Sequence, residues 1–229
     1  MNYEECIELA RPRIGKYCKA CKECNGKACG NQIPGPGAKG IGDTAIRNYD
    51  KWKEIRVNMD TIAENGPVDI SLELFGKKFR YPFFAGPVGA VNLHYGDCLN
   101  DISYNDILVS FCAEFGIAAF TGDGMDSNVM VAATKAIHKA KGLGVMTVKG
   151  ALKAKEAGAD AVIIARPFVT AVYGGGREGV EAYISKIGGE LEDTMKMCGV
   201  SDLAEITGEC IWKNLYVWEQ VKGKRNVSD

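Results

Sequence analysis

The hydrophobic pattern of the chain predicts alternating helices and strands of the α/β class. The run 161–165 is apolar at every position, which is typical of a parallel strand covered on both faces. Before it, 149–158 has helical spacing, with Thr147 and Gly158 as expected caps. The strand ends at Arg166, and α/β proteins bind ligands where strands end. Arg166 is therefore a candidate phosphate ligand, with a plain surface arginine as the alternative.

Two further strand–loop–helix units precede this one. The apolar stretch 82–85 runs into the glycine-rich turn 86–90, and 117–121 is a second buried strand followed by another glycine-rich turn. A helix-spaced stretch follows each turn, and we expect Ser103 and Ser127 to cap these helices. Small residues where the strands end leave room for a flat ligand and expose backbone N–H groups to it.

Upstream of these units the pattern predicts one helix and one hairpin. We expect Asp43 to cap the helix and its apolar stripe to pack in the core. The stripe consists of Ile46, Tyr49, Trp52, Ile55 and Met59. Alternation at Ile70, Leu72 and Leu74, followed by a turn at Gly76, predicts the hairpin.

Composition narrows the class of protein. The chain has 229 residues, 46% of them hydrophobic, which suits one larger domain or two small ones. Its 28 basic and 29 acidic residues nearly cancel, so the chain has no net positive charge that would attract nucleic acid or an anionic membrane. We expect neither partner. No apolar run approaches the roughly 20 residues of a membrane span, and the first residues do not resemble a signal peptide. We therefore expect a cytoplasmic protein.

The cysteines are the most distinctive chemical feature. Nine cysteines without a secretion signal favour thiols or metal sites in a reducing compartment. Cys18, Cys21, Cys24 and Cys29 have the spacing C-x2-C-x2-C-x4-C, which lets the thiolates turn toward one centre. We expect these four to bind a metal, as zinc or an iron–sulfur cluster. Free or redox-active thiols and disulfides are the alternatives. The Pro- and Gly-rich stretch 34–42 that follows is either a linker or a loop lying against a ligand.

Three segments together resemble a known family. PFFAGPVGA (82–90), GIAAFTGDG (116–124) and GADAVIIARPF (158–168) are similar to the first, second and eighth strand ends of the FMN-dependent α-hydroxy acid dehydrogenases and oxidases. These are TIM barrels of the glycolate oxidase and lactate oxidase type. The cysteine segment and its Pro-Gly-Pro-Gly loop resemble members from anaerobes. The resemblance implies FMN as cofactor and a small 2-hydroxy acid as substrate.

The same resemblance implies eight FMN-binding positions. Those expected along the flavin ring are Ala85, Gly86, Pro87 and Val88. Thr121 and Gly122 stand where the family places a small hydroxyl residue near the ring and the ribityl chain. Ala165 and Arg166 stand in the family's Gly-Arg pair, which holds the FMN phosphate.

The chain is short for this family. A TIM barrel takes about 250 residues and eight strand–helix units, whereas we count four strands at most from Tyr81 to Gly199. The family's middle is interrupted near 142–145, where 146–150 resembles the start of helix five, and again at 157–160. The family's base histidine, its active-site lysine and its Asp-Gly-Gly phosphate loop have no counterpart here. We expect neither His94 nor His138, the two histidines, to act as the base.

These observations predict an incomplete, TIM-barrel-derived α/β fold. About four strand–helix units would form a half-barrel or an open parallel sheet, after an N-terminal Cys-rich segment and a hairpin. We divide the chain into the Cys-rich segment and Gly/Pro loop (1–42), a truncated dehydrogenase-type domain (43–212) and a tail (213–229). Unpaired strand edges predict a homo-oligomer.

Two functions stay open. The first is an FMN-dependent oxidoreductase that converts a small 2-hydroxy acid, such as lactate or glycolate, to a 2-oxo acid. We expect little activity, with FMN binding weak or lost, because the base, lysine and phosphate loop are missing. The second is a non-catalytic metal- or flavin-binding remnant, or an assembly partner.

Overall fold

The computed structural model describes residues 1–15, 17–30, 43–59, 62, 66–122, 126, 128–147, 162–206 and 211–212. The helices are α1 (Tyr3–Ala10), α2 (Thr44–Trp52), α3 (Val91–Tyr95), α4 (Asp101–Glu114), α5 (Asn128–Lys139) and α6 (Arg166–Cys198). The strands are β1 (Arg56–Val57), β2 (Leu72–Leu74), β3 (Lys77–Phe79), β4 (Phe83–Ala85), β5 (Phe120–Thr121), β6 (Val145–Met146), β7 (Val162–Ile164) and β8 (Ile211–Trp212). A 3-10 helix spans Leu203–Glu205.

Four of these strands run parallel and lie side by side. β4 pairs with β7, and β5 pairs with β6, both in parallel register. A parallel bridge between Ala85 and Ala119 joins the two pairs, and the Ala85 amide donates to the Ala118 carbonyl at 3.1 Å. The order is therefore β7, β4, β5, β6. The α/β class with parallel strands is confirmed, while the incomplete barrel stays a prediction.

Helices α4, α5 and α6 supply about half of the buried hydrophobic side chains. α4 packs against both α5 and α6, and α6 also packs against α1. The largest fully buried side chains include Tyr104, Phe168 and Leu108. The backbone of α6 leaves helical geometry at Gly176, with φ 52° and ψ −122°, so a kink divides this helix in two. Its first half carries the predicted phosphate ligand.

The hairpin prediction is confirmed. β2 and β3 pair antiparallel, with Leu72 opposite Phe79. Phe75 and Gly76 form the turn with φ of 53° and 67°. Two consecutive positive φ values are typical of the tight turns whose twist matches that of the flanking strands.

One predicted helix cap, Ser103, is wrong, and a second, Asp43, stands at the predicted position but forms no capping bond. The α4 N-cap is Asn100, whose side chain accepts from the Ser103 amide at 2.9 Å, while the Asn100 amide donates to Ser103 Oγ at 3.0 Å. Ser103 therefore completes a capping box from the third helical position. Asp43 precedes α2 with helical φ and ψ and makes no side-chain capping bond. A residue must be extended to cap a helix with its side chain, and Asp43 is not.

The prediction that the stripe of α2 is core is also wrong. The helix ends at Trp52, and no residue in it is buried. Trp52 is 71% exposed, Ile55 45% and Met59 64%. Helical spacing identifies an apolar face, but it does not say that a second element covers that face.

The third correction concerns residues 145–165. Val145 and Met146 form the parallel strand β6, where the sequence suggested the start of a helix. Ile163, in the strand predicted to be covered on both faces, is 51% exposed. The predicted helix 149–158 and the cap Ser127 lie outside the described residues.

No helix in the described ranges combines the length and apolar character needed to cross a membrane.

Candidate functional site

Two of the three predicted strand ends meet at Gly86. The Gly86 amide donates to the Ile164 carbonyl at 2.7 Å. A Cβ on Gly86 would lie 2.7 Å from Ile163 Cγ2 and 3.1 Å from Ala165 Cβ, so only glycine fits this contact without displacing its neighbours. The structure therefore brings Gly86 and Ala165, two of the predicted cofactor positions, into contact.

The third strand end joins this group through Gly122. A Cβ on Gly122 would lie 1.7 Å from the Val88 carbonyl oxygen, so the turns after β4 and β5 are in direct backbone contact. The buried side chain of Asn105 holds the Gly122 peptide from α4. Its Oδ1 accepts from the Gly122 amide at 3.1 Å, and its Nδ2 donates to the Gly122 carbonyl at 3.4 Å. Asn105 was not predicted from the sequence. An asparagine among the apolar positions of a helix was the signal that could have indicated a buried polar contact.

The positions expected to face a flavin ring are mostly covered by the protein itself. Ala85 and Thr121 are fully buried, and Val88 is 7% exposed. Thr121 Oγ1 accepts from the Thr147 amide at 3.4 Å. Of the four predicted ring positions only Pro87 is exposed. The described residues therefore leave no open face for a ring along β4 and β5.

The phosphate end is different, because Arg166 is exposed. It is the first residue of α6 and lies two residues after Ile164, the last residue of β7. Anions are stabilised at helix N-termini by the helix dipole and the unpaired amides. Few backbone donors are open here, since Pro167 has none and the Phe168 amide donates to the Ala165 carbonyl. The Arg166 side chain is thus the main group that a phosphate could meet.

Arg166 shares a small cavity with the cysteine segment. Its Nη1 donates to Cys24 Sγ at 3.7 Å. The cavity has a volume of about 40 Å³, and Cys18, Cys21, Cys24 and Cys29 all contribute to its lining. Burial raises the pKa of the Cys18 and Cys21 thiols above the usual value. The four cysteines are free thiols.

The metal prediction is not confirmed. Among the residues that the structure describes, no three His, Cys, Asp or Glu side chains are placed to hold a metal ion. The four thiols line one cavity, as the spacing predicts, but they do not converge in this arrangement. A metal centre at these cysteines stays a prediction.

Both histidines lie on helices. His94 lies on α3, half-buried, with its ring edge against Tyr95 at a centroid distance of 6.2 Å. His138 is exposed in the last turn of α5. The sequence-based expectation that neither acts as base stays a prediction.

Comparison with known proteins identifies the family. A family model described as "FMN-dependent dehydrogenase" matches residues 36–142 and 142–213. The two matched segments meet at Gly142, where the sequence analysis places the first interruption. A 2-hydroxyacid oxidase from Dictyostelium discoideum is 34% identical over 67 residues, which are 29% of this chain and 17% of the relative. The chain therefore aligns with about a sixth of that relative.

Solved structures show the same fold at low identity. An active mutant of (S)-mandelate dehydrogenase has a TM-score of 0.60 at 10% identity, with 93% of this chain and 99% of that chain covered. A soluble mutant of the membrane-associated (S)-mandelate dehydrogenase from Pseudomonas putida has a TM-score of 0.58 at 10% identity and the same coverage. A mutant flavocytochrome b2 with pyruvate bound has a TM-score of 0.54 at 13% identity, with 79% and 82% covered.

The cofactor in the family's description fits one end of this site. Arg166, exposed at the start of α6, suits a phosphate. The ring end does not fit in this conformation, because Gly122 lies against Val88 and Thr121 is fully buried. The cavity at Arg166 is also too small for a whole flavin, since cofactor pockets measure about 300–1,000 Å³.

Proposed function

Because the chain belongs to the FMN-dependent dehydrogenase family, we propose that it binds FMN through the phosphate and that its reaction class is the oxidation of a small 2-hydroxy acid to a 2-oxo acid. The contact that carries the proposal is the one between Gly86 and Ala165, which sets Arg166 beside the first strand end. The names of the similar proteins support the substrate class. They are a 2-hydroxyacid oxidase, a mandelate dehydrogenase and a flavocytochrome b2 with pyruvate bound.

The binding is expected to be weak. The phosphate meets one guanidinium and few backbone donors, because Pro167 lacks an N–H and the Phe168 amide is already paired. A ring could contact β4 and β5 only if the turn at Val88 and the turn at Gly122 moved apart. If the Gly122 turn were the one to move, it would lose its two hydrogen bonds to the buried Asn105 side chain, which opposes binding.

Turnover tests the proposal directly. Full-length protein is incubated with excess FMN, lactate or glycolate and an artificial electron acceptor, and the 2-oxo acid is quantified. The proposal expects slow production that depends on added FMN and is lost in Arg166→Gln. Arg177→Gln is the matched control, because Arg177 is paired with Glu114 and Glu181 on the surface. Production without FMN, or equal rates in the two variants, would contradict the proposal.

A second candidate is a non-catalytic FMN-binding remnant. The observation that favours it is the burial of Thr121 and Val88, which closes the expected ring face. FMN binding that depends on Arg166, with no detectable 2-oxo acid, would select this candidate over the enzyme.

A further inference from the structure

The cavity between the cysteine segment and α6 has no role in the proposed oxidation. Cys18, Cys21, Cys24 and Cys29 line it on one side, and Arg166 lines it on the other. We propose that the four cysteines form a zinc site and that Arg166 is its charge partner. This rests on the proposed function in one respect only, that the same arginine is the FMN phosphate ligand.

The backbone of this segment places the four cysteines around one cavity. Ala20 adopts φ 42° and Gly26 φ 76°, so the chain makes sharp turns between the cysteines. Cys24 is exposed and the other three cysteines are half-buried, which leaves room for the side chains to change rotamer. Such rotations are required, since the thiols do not converge as they lie.

Charge explains why Arg166 faces this cavity. Four thiolates around one divalent zinc leave two negative charges, which need cationic neighbours in a partly buried site. The guanidinium of Arg166 already donates to Cys24 Sγ at 3.7 Å. Pro167 and Thr170 also line the cavity, so the first turn of α6 directs its positive dipole end toward it. A group that hydrogen-bonds a metal ligand orients that ligand and tunes the site.

The ligand set suits a single zinc ion. Zinc prefers four ligands in a tetrahedron, and four cysteines supply a complete set. On binding, each thiol releases its proton to solvent.

A shared arginine couples the two ligands. When Arg166 is held by the zinc–thiolate centre, it is less available to the FMN phosphate, so each ligand weakens binding of the other. The coupling is reciprocal by thermodynamic necessity. Zinc bound at the cysteine segment then lowers the affinity of the protein for FMN.

The test measures zinc affinity without flavin. Full-length protein, reduced and handled anaerobically, competes for zinc with a chromophoric chelator. We expect one zinc per chain in the wild type and about tenfold weaker binding in Arg166→Gln, the scale of lost outer-shell contacts. Arg177→Gln, whose arginine pairs with Glu114, should match the wild type. Cys24→Ser should weaken binding about tenfold or more, while Cys98→Ser, which removes an exposed thiol outside the segment, should not.

The outcomes are separable. Equal zinc affinity in Arg166→Gln and Arg177→Gln overturns the role of the arginine. A protein that takes up no zinc, or that is isolated with iron and sulfide instead, overturns the zinc site. Equal FMN affinity with and without zinc overturns the coupling. A chain that binds no FMN under any condition refutes the proposed function but leaves the zinc measurements standing.

Discussion

The side chain of Asn105 and the backbone of Gly122 form a buried two-bond clamp. Asn105 Oδ1 accepts from the Gly122 amide at 3.1 Å, and Asn105 Nδ2 donates to the Gly122 carbonyl at 3.4 Å. Because α4 supplies the asparagine, this clamp attaches the turn after β5 to a helix packed in the core. The position of one predicted cofactor residue therefore depends on a residue outside the resemblance motifs.

Removing this clamp should destabilise the fold. Asn105→Ala leaves the buried Gly122 amide and carbonyl without partners, and we expect a loss of about 1–3 kcal/mol in the free energy of unfolding. Denaturant unfolding followed by circular dichroism measures it. Asp106→Ala, at the exposed neighbouring position on the same helix, is the control. Equal stability of the two variants would show that the clamp contributes nothing.

The close approach of two turns gives a second prediction. In Gly122→Ala the new Cβ would lie 1.7 Å from the Val88 carbonyl oxygen, so backbone must move. We expect a loss of about 1–3 kcal/mol or more, as for other overpacked sites. Gly189→Ala is the matched control, because nothing lies within 4 Å of that Cβ. There, on an exposed helix, alanine should stabilise by about 0.5–1 kcal/mol. Thermal unfolding of both variants checks the opposite signs.

The buried thiols predict a pattern of chemical reactivity. Burial raises the pKa of Cys6 from 9.0 to about 11, and Cys112 is also buried, with its pKa raised by desolvation. At pH 8, iodoacetamide should therefore modify the exposed Cys98 and spare both buried thiols until denaturant is added. Peptide mass mapping measures this. Rapid modification of Cys6 in the folded protein would contradict the packing of α1 on α6.

The same shift has a consequence for stability at high pH. The unfolded chain loses the Cys6 proton near pH 9, while the folded chain keeps it until about pH 11. The contribution of Cys6 is therefore complete below pH 9 and falls as the pH rises through this window. Cys6→Ala should flatten that part of the pH–stability profile, measured by denaturant unfolding from pH 8 to 11. If the pH–stability profile of Cys6→Ala had the same slope as that of the wild type, other groups would cause the loss of stability at high pH.

Some of the fold could be predicted from local pattern. Hairpin turn, parallel strands and the small residues where they end all have short-range signals. Helix α1 also has one, since Asn2 and Glu5 form the capping box that begins it, although the pattern of apolar residues alone does not indicate this helix. The exposure of Trp52 was not predictable, because amphipathic spacing does not specify a covering element.

The sequence motifs predicted the residues of the site but not the contact between them. Arg166 and the four cysteines were identified separately. Their meeting depends on the packing of α6 against the N-terminal segment, across 142 positions between Cys24 and Arg166. The contact between the turns after β4 and β5, next to the buried Thr121, likewise depends on both turns and could not be predicted from either alone.

The most direct measurement of the central claim is FMN affinity in matched arginine variants. Fluorescence titration compares wild type, Arg166→Gln and Arg177→Gln, all stripped of metal. The account predicts weak binding by the wild type and at least about tenfold weaker binding by Arg166→Gln, since a charge-assisted hydrogen bond contributes about 1.5–3 kcal/mol. Arg177→Gln should bind as the wild type does. Weaker binding by Arg177→Gln than by Arg166→Gln, or none by the wild type, would contradict the placement of FMN at Arg166.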